Sequence, residues 1–262
     1  MLFASAFLPA WLGYNRGMRK TEYLPKSVLS IQAHPDDQEF TVAGTLARWV
    51  QTGAAVTAVI ATSGDAGSND PRHTAEYKPE LGRLREAEQT AACEVLGIQQ
   101  TIFLHYPDGE LEATLALRRD LTRQIRRFQP EVVVIGDPQG TFHGSTYINH
   151  PDHRAAAQAG LYAVFPSAET RLIFPELLAE GLEPHKVKRL YIHGAAQADI
   201  WVDISTTIDR KIAALRKHTS QLGDWNPEPM IREWARGEGK QHGMKYAESF
   251  KVMRLSEQDE QD

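Results

Sequence analysis

Residues 27–40 read SVLSIQAHPDDQEF, an apolar run that ends in a histidine, a proline and two adjacent aspartates. The run over 27–33 predicts a buried strand, and the polar residues after it predict a turn into a helix. Adjacent carboxylates repel each other, and burying either one without a partner costs free energy. Asp36 and Asp37 therefore indicate a site at the end of this strand, where water or a cation compensates their charge.

Strand and helix patterns alternate along the chain. Short apolar runs predict strands over 27–33, 55–62, 101–106, 131–136, 189–194 and 199–204. Segments of helical periodicity predict helices over 39–52, 80–96, 111–128 and 151–164. This alternation is typical of an α/β fold of the Rossmann-like, doubly wound kind, with a mostly parallel sheet and helices on both faces.

The last part of the chain contains one further predicted helix and one predicted loop. A further helix is predicted from Ile208 to Leu222, because apolar residues recur on one face. The stretch GDWNPEPMIREWARGEG, over 223–239, is rich in Trp, Pro and Gly and lacks clear periodicity. We expect it to form an irregular loop that covers the site and contributes to specificity.

The composition favours one large domain. The chain has 262 residues, 42% of them hydrophobic, and we expect a single domain over 21–255 between an N-terminal extension (1–20) and a disordered acidic tail (256–262). The net charge of -5 gives no electrostatic basis for a nucleic-acid partner. A single cysteine excludes an intramolecular disulfide and fits a reducing compartment. The apolar start is too short for a membrane helix and lacks a basic leader, so we expect a cytoplasmic protein with no clear membrane segment.

A second histidine and aspartate cluster lies in NHPDHRAAAQAG, over 149–160. Pro151 suits the first position of a helix, which places His150 and His153 at the helix start, with Asp152 between them. Both clusters follow strands of a parallel sheet, so we expect them to lie on the same edge of that sheet.

Together the clusters contain the ligands of a hydrolytic metal site. His34, Asp37 and one histidine of the second cluster would supply two imidazoles and one carboxylate, which is typical of catalytic zinc with an open coordination position. Asp36 is then available to accept a proton from water. The remaining histidine would donate to the developing oxyanion or to the leaving group.

These motifs resemble the LmbE-like, or PIG-L, superfamily of zinc-dependent deacetylases, which act on N-acetylglucosamine groups. The strongest similarity lies in AHPDDQEFTVAGTLARW (33–49) and HPDHRAAAQA (150–159). Further similar segments are TSGDAGS (62–68), RLREAEQTAACEVLG (83–97), YPDG (106–109) and ALRKHTSQ (214–221). The similarity extends over about residues 28 to 250.

The resemblance implies one zinc ion per chain, held by His34, Asp37 and His153. It implies that Asp36 is the general base, that His150 stabilises the tetrahedral intermediate, and that Asp152 orients His150. It further implies that three residues bind sugar hydroxyls: Asp65, Arg83 and Asp108. The family's usual Gly-Gly-Thr is Ala43-Gly44-Thr45 in this chain, so we expect different helix packing at that point.

The function expected from the resemblance is removal of acetyl from an N-acetylglucosamine-type small molecule by attack of metal-activated water on the amide. One alternative is that the same metal centre cleaves another bond, such as the amide of a sugar-thiol conjugate or a phosphoester. Phosphoester cleavage often uses two metals, whereas the motifs contain ligands for one. A second alternative is a non-catalytic homologue that binds metal and sugar. A homo-oligomer is compatible with each of these functions.

Overall fold

A computed structural model describes residues 23–256. The strands are β1 (Ser27–Gln32), β2 (Ala55–Thr62), β3 (Gln100–Tyr106), β4 (Val132–Gly136), β5 (Phe142–His143), β6 (Tyr147–Ile148), β7 (Arg189–His193), β8 (Ile200–Asp203) and β9 (Ala247–Arg254). The α-helices are α1 (Asp37–Thr41), α2 (Ala43–Gln51), α3 (Lys78–Leu96), α4 (Leu115–Phe128), α5 (Pro151–Tyr162), α6 (Glu176–Ala179), α7 (Ile208–Leu215), α8 (Thr219–Leu222) and α9 (Glu228–Lys240). The predicted extension over 1–20 lies outside the described residues, and so does the predicted tail apart from Ser256.

Seven strands form one sheet in the order β3-β2-β1-β4-β7-β9-β8. Neighbours from β3 to β7 pair in parallel, whereas β9 runs antiparallel to both β7 and β8. This confirms the predicted mostly parallel α/β sheet. The chain moves outward from β1 to β3 and then crosses back to β4 on the other side of β1. The carboxyl ends of β1 and β4 therefore meet where the winding reverses, which is where ligands bind in such sheets.

Helices cover both faces of the sheet, and strand β4 is therefore buried on both sides. Its consecutive residues alternate between two apolar cores: Val132 and Val134 pack on one side, and Val133 and Ile135 on the other. All four side chains are inaccessible to solvent. A strand buried on both faces needs this unbroken apolar run. Among residues 23–256, no helix is long and apolar enough to cross a membrane.

Several predicted helices are interrupted in the structure or begin at a later residue. The helix predicted over 39–52 is divided at Val42 into α1 and α2. The helix predicted over 111–128 begins at Leu115, because the Thr114 hydroxyl accepts a hydrogen bond from the Leu117 N–H and caps it. The late helix is likewise interrupted between α7 and α8.

The prediction of an irregular loop over 223–239 was wrong, because most of this segment forms α9. The prolines that indicated a loop lie at the start of this helix, where a missing N–H costs no hydrogen bond. Ile231 and Ala235 recur four residues apart and bury one face of the helix. Strand β9 was not predicted, since polar residues interrupt its apolar pattern.

A buried ion pair joins α2, α7 and β9 on one side of the sheet. Lys211 Nζ lies 2.6 Å from Glu248 Oε1 and also donates to the Thr41 carbonyl at 2.7 Å. The Glu248 carboxylate accepts from the backbone N–H groups of Gly44 (3.0 Å) and Thr45 (2.7 Å) at the start of α2. A Cβ at Gly44 would lie 2.9 Å from Glu248 Oε1, so this close approach requires glycine.

Replacing Glu248 by alanine should destabilise the fold by about 3–5 kcal/mol, because it leaves the Lys211 ammonium buried without its counter-charge. Urea denaturation followed by circular dichroism would measure the free energy of unfolding. Glu183→Ala, which removes an exposed partner of Arg171, serves as the control and should leave the midpoint unchanged. Equal midpoints for the two variants would contradict a structural role for the buried pair.

Candidate metal centre and active site

The two predicted clusters meet at the carboxyl edge of the sheet. His34 and Asp37 follow β1, whereas His150 and His153 lie at the start of α5, beyond β4 and the β5–β6 hairpin. His153 Nε2 lies 3.0 Å from Asp37 Oδ1, and the His34 ring lies 4.8 Å and 5.1 Å from the rings of His150 and His153. Pro151 occupies the first turn of α5, and His150 is its N-cap, as the sequence predicts.

The carboxylate of Asp37 is held by the turn that carries it. Its Oδ2 accepts from the backbone N–H groups of Ala33 (3.1 Å) and His34 (2.8 Å), which leaves Oδ1 directed at His153. Burial would raise the pKa of Asp37, but the imidazoles of His153 and His34 hold it well below its usual range. The Asp37 carboxylate is therefore ionised, and the turn that carries it sets its orientation.

His153 directs Nε2 at Asp37 because its other nitrogen is engaged. Its Nδ1 lies 3.0 Å from Asn149 Oδ1, and the Asn149 amide nitrogen donates to the Gly140 carbonyl at 2.8 Å. This second bond fixes which end of the Asn149 amide is the acceptor, so Nδ1 of His153 is the donor. An amide or carboxylate partner of this kind is typical of histidines that bind metal.

His34 shows the same arrangement with the opposite nitrogen. Its Nε2 lies 3.0 Å from Asp108 Oδ1 and 3.3 Å from Asp152 Oδ2, and carboxylates can only accept, so Nε2 carries the proton. Its Nδ1 faces Asp37 Oδ2 at 3.6 Å. Burial lowers the pKa of His34, but the three carboxylates outweigh it and raise the pKa to about 12. Such an excess of negative charge favours binding of a cation.

The ligand atoms of His34, Asp37 and His153 lie within 4.8 Å of one another, which makes them a group that could hold a metal ion. Two imidazoles and one carboxylate are the ligand types of zinc in many catalytic sites. The donor set and its hydrogen-bonded support therefore fit the metal that the sequence predicts.

A second group, His34, His150 and Asp152, is equally compact but is internally hydrogen-bonded. The Asp152 carboxylate accepts from the N–H groups of Gly109 (2.8 Å) and Leu111 (3.3 Å), in addition to contacting His34. His150 Nδ1 accepts from the Asp152 backbone N–H at 3.2 Å and lies 3.7 Å from the carboxylate. Backbone and side chain of Asp152 thus support two different histidines, and the proton of neutral His150 is on Nε2.

Asp36 is positioned by an uncommon backbone conformation. Its φ of 93° is in the left-handed region, which a non-glycine residue adopts at a cost in energy. Its N–H donates to Gln89 Oε1 at 2.8 Å, and its Oδ2 accepts from Arg85 Nη2 at 3.1 Å. Burial raises the pKa of Asp36 to about 6 despite the opposing charge of Arg85. These are the properties of a carboxylate placed to exchange protons near neutral pH.

Arg85 is a site residue that the sequence analysis missed. Its guanidinium is 4% exposed and donates to the carbonyls of Gly64 and Pro35, both at 2.7 Å, as well as to Asp36. A Cβ at Gly64 would collide with the guanidinium, so glycine is needed there. The signal was present in α3, since Arg85 lies four residues after buried Leu81 and four before buried Gln89. A charged residue on a buried helix face indicates a specific partner.

The three predicted substrate-binding residues are placed differently from one another. Arg83 is exposed on α3, and Asp65 is half-buried with its carboxylate 3.7 Å from Lys78 Nζ. Asp108 is buried, and its carboxylate contacts His34 and accepts from the Ala66 N–H at 2.7 Å. Of the three, only Asp108 contacts the predicted metal ligands, where it supports His34.

A buried polar layer lies behind Asp36. Glu39 is inaccessible to solvent and accepts from Gln38 (2.8 Å) and from Gln89 (3.1 and 3.2 Å), and it lies 3.3 Å from His218 Nε2. Gln89 therefore connects this layer to the Asp36 backbone. Glu39 thus has a structural role in this layer.

A sequence profile of the family described as PIG-L, GlcNAc-PI de-N-acetylase, matches residues 29–164. The chain belongs to this family. The match includes both clusters and confirms the resemblance inferred from their motifs. Diacetylchitobiose deacetylase of Thermococcus kodakarensis is 32% identical over 231 residues, which cover 87% of this chain and 83% of that protein.

Two further relatives agree with this membership. The 1D-myo-inositol 2-acetamido-2-deoxy-alpha-D-glucopyranoside deacetylase of Thermobispora bispora is 32% identical over 253 residues, covering 75% of this chain and 80% of that protein. The solved structure of N,N'-diacetylchitobiose deacetylase from Pyrococcus horikoshii has a TM-score of 0.80 at 29% identity and covers 88% of this chain and 84% of its own. All three relatives are named deacetylases, which are amide hydrolases.

The two candidate metal groups can be separated by substitution, because His153 belongs only to the first and His150 only to the second. After reconstitution with zinc and gel filtration, the wild-type chain should retain about one ion, His153→Ala close to none, and His150→Ala about one. Inductively coupled plasma mass spectrometry would measure the ratio. Loss of metal from His150→Ala alone would assign the ion to the second group.

Proposed function

We propose that this chain is a zinc-dependent deacetylase that hydrolyses the acetamido group of an N-acetylglucosamine-type sugar to acetate and a free amine. The observation that carries the proposal is the convergence of Asp37 and two correctly oriented imidazoles, with Asp36 and His150 beside them. The relatives support the substrate class, since their names specify N-acetylated sugars.

His34 Nδ1, Asp37 Oδ1 and His153 Nε2 would hold one zinc ion per chain. When bound, zinc lowers the pKa of a coordinated water to roughly 7 and polarises the amide carbonyl. The chain's part in this step is orientation, because the hydrogen bonds of Asn149 and Asp108 direct the two imidazoles toward Asp37.

Asp36 would accept the proton of the attacking water. Its carboxylate adjoins Asp37 in sequence, and Arg85 holds one of its oxygens, which leaves the other for the water. A base is most effective when its pKa is close to the working pH, and burial brings the pKa of Asp36 to about 6. The same carboxyl group can then protonate the amine as the C–N bond breaks.

His150 would stabilise the tetrahedral intermediate. With Nδ1 occupied by the Asp152 N–H, its Nε2–H is the group able to donate to the oxygen that gains negative charge. Burial lowers the pKa of His150, which favours the neutral ring. The backbone at the start of α5 therefore determines which nitrogen of His150 donates.

Asp36→Ala should lower the rate of acetate release by at least about 10²-fold, because general-base catalysis is lost, while bound zinc remains. Acetate release would be measured with zinc-loaded protein on N-acetylglucosamine, diacetylchitobiose and an N-acetylglucosaminyl inositol. Glu183→Ala controls for loss of a carboxylate elsewhere. Full activity in Asp36→Ala would refute the role of Asp36, whereas no acetate from any of these sugars with wild-type protein would refute the function.

Arg85→Lys should lower kcat by roughly 10- to 100-fold with little change in KM, because a single ammonium cannot span Asp36 and the two carbonyls that Arg85 joins. Arg83→Lys is the matched comparison, two residues away on the exposed side of α3. Steady-state kinetics on both variants distinguishes the roles. A rise in KM for Arg83→Lys, with Arg85→Lys unaffected, would favour the substrate role that the sequence predicts for Arg83.

A further inference from the structure

A cavity of about 250 Å³ lies at the same edge of the sheet as the metal centre. Its walls come from α1, α7, α9, the end of β7 and the start of β9. Phe40 and Trp234 supply its aromatic surface, and His193, Glu238 and Ser249 supply polar groups. None of these residues has a role in the chemistry described above.

The cavity adjoins the metal centre through α1 and β7. Thr41, which lines it, donates from its hydroxyl to the Asp37 carbonyl at 2.7 Å. His193, which also lines it, lies 3.3 Å from Gln32 Oε1 at the end of β1, two residues before His34. The cavity therefore lies one turn of α1 from Asp37.

The aromatic residues beside the cavity are unusually exposed. Trp234 is 55% exposed on α9, and Trp225 is 49% exposed and stacks on Phe40 with ring centroids 6.4 Å apart. Tryptophan is highly buried on average, and exposed apolar groups collected at a concave surface mark binding sites. The indole of Trp234 thus offers an open apolar face on the wall of a cavity.

The polar groups of the cavity suit an uncharged ligand. Lys211 and Glu248 both line it, but their ion pair of 2.6 Å neutralises each charge. The hydroxyl of Ser249 and the carboxylate of Glu238, which also accepts from Trp201 Nε1 at 3.2 Å, can bond to hydroxyls. An aromatic face with hydrogen-bonding groups around it matches a pyranose, which has apolar C–H faces and a rim of hydroxyls.

We propose that this cavity is a second sugar subsite, which binds the ring glycosidically linked to the N-acetylated ring at the metal centre, with Trp234 stacked on it. The inference rests on the proposed function and narrows its substrate class to a disaccharide or longer oligosaccharide. Ligand sites usually measure roughly 300–1,000 Å³, so this cavity of about 250 Å³, just below that range, fits a single ring. Free N-acetylglucosamine would fill only the metal site.

The test compares diacetylchitobiose with N-acetylglucosamine on zinc-loaded protein. Trp234→Ala should raise KM for the disaccharide about tenfold and leave kcat unchanged, while both constants for the monosaccharide stay the same. Trp234→Phe should restore most of the disaccharide affinity, because a smaller aromatic face remains. Glu233→Ala, an exposed neighbour on α9, is the control and should match the wild type with both sugars.

Calorimetry on zinc-loaded Asp36→Ala protein supplies a measurement that does not depend on turnover. Disaccharide binding should weaken about tenfold when Trp234→Ala is added, and monosaccharide binding should not change. Equal effects on both sugars, or none on either, would overturn the subsite while the deacetylase function stands. Absence of acetate from wild-type protein, with Trp234-dependent disaccharide binding intact, would instead refute the proposed function and retain the subsite.

Discussion

The carboxylate of Asp37 is the point on which the site depends. One oxygen is bound by the backbone of the turn that follows β1, and the other faces His153 at the start of α5. The backbone after β1 holds one oxygen, and α5 brings His153 to the other. The cluster therefore forms only if the ends of β1 and β4 keep their register. The parallel pairing of these strands, buried between two apolar cores, maintains that register.

The supporting residues come from elements far apart in the chain. Asp108 follows β3 and orients His34, Arg85 reaches from α3 to hold Asp36, and Asn149 directs His153. Each of these residues adds a hydrogen bond to a side chain that metal binding or proton transfer would require in one orientation only. The left-handed backbone at Asp36 has an energetic cost, and the bonds from Gln89 and Arg85 offset it.

The departures from the sequence predictions have physical causes. Arg85 was missed because a guanidinium on a helix normally indicates solvent, whereas here its partners are carbonyls supplied by two distant loops. Helix α9 was predicted to be a loop because its prolines were interpreted as breakers, although they occupy its first turn. Strand β9 forms because it pairs with β7 and β8, and this pairing outweighs its weak local pattern.

The sequence by itself determined the parallel α/β fold, the position of the first cluster directly after a parallel strand, and the family, since these depend on local periodicity and on short motifs. The second cluster was also predicted to follow a strand of the parallel sheet, but it follows the antiparallel β5–β6 hairpin. Only the tertiary structure decided which nitrogen of each histidine is engaged, that Asp152 contacts His34 through its carboxylate and His150 through its backbone, and that an aromatic cavity adjoins the site. These features depend on distances between residues remote in sequence, which local patterns do not encode. They follow from the way the sheet and its helices pack together.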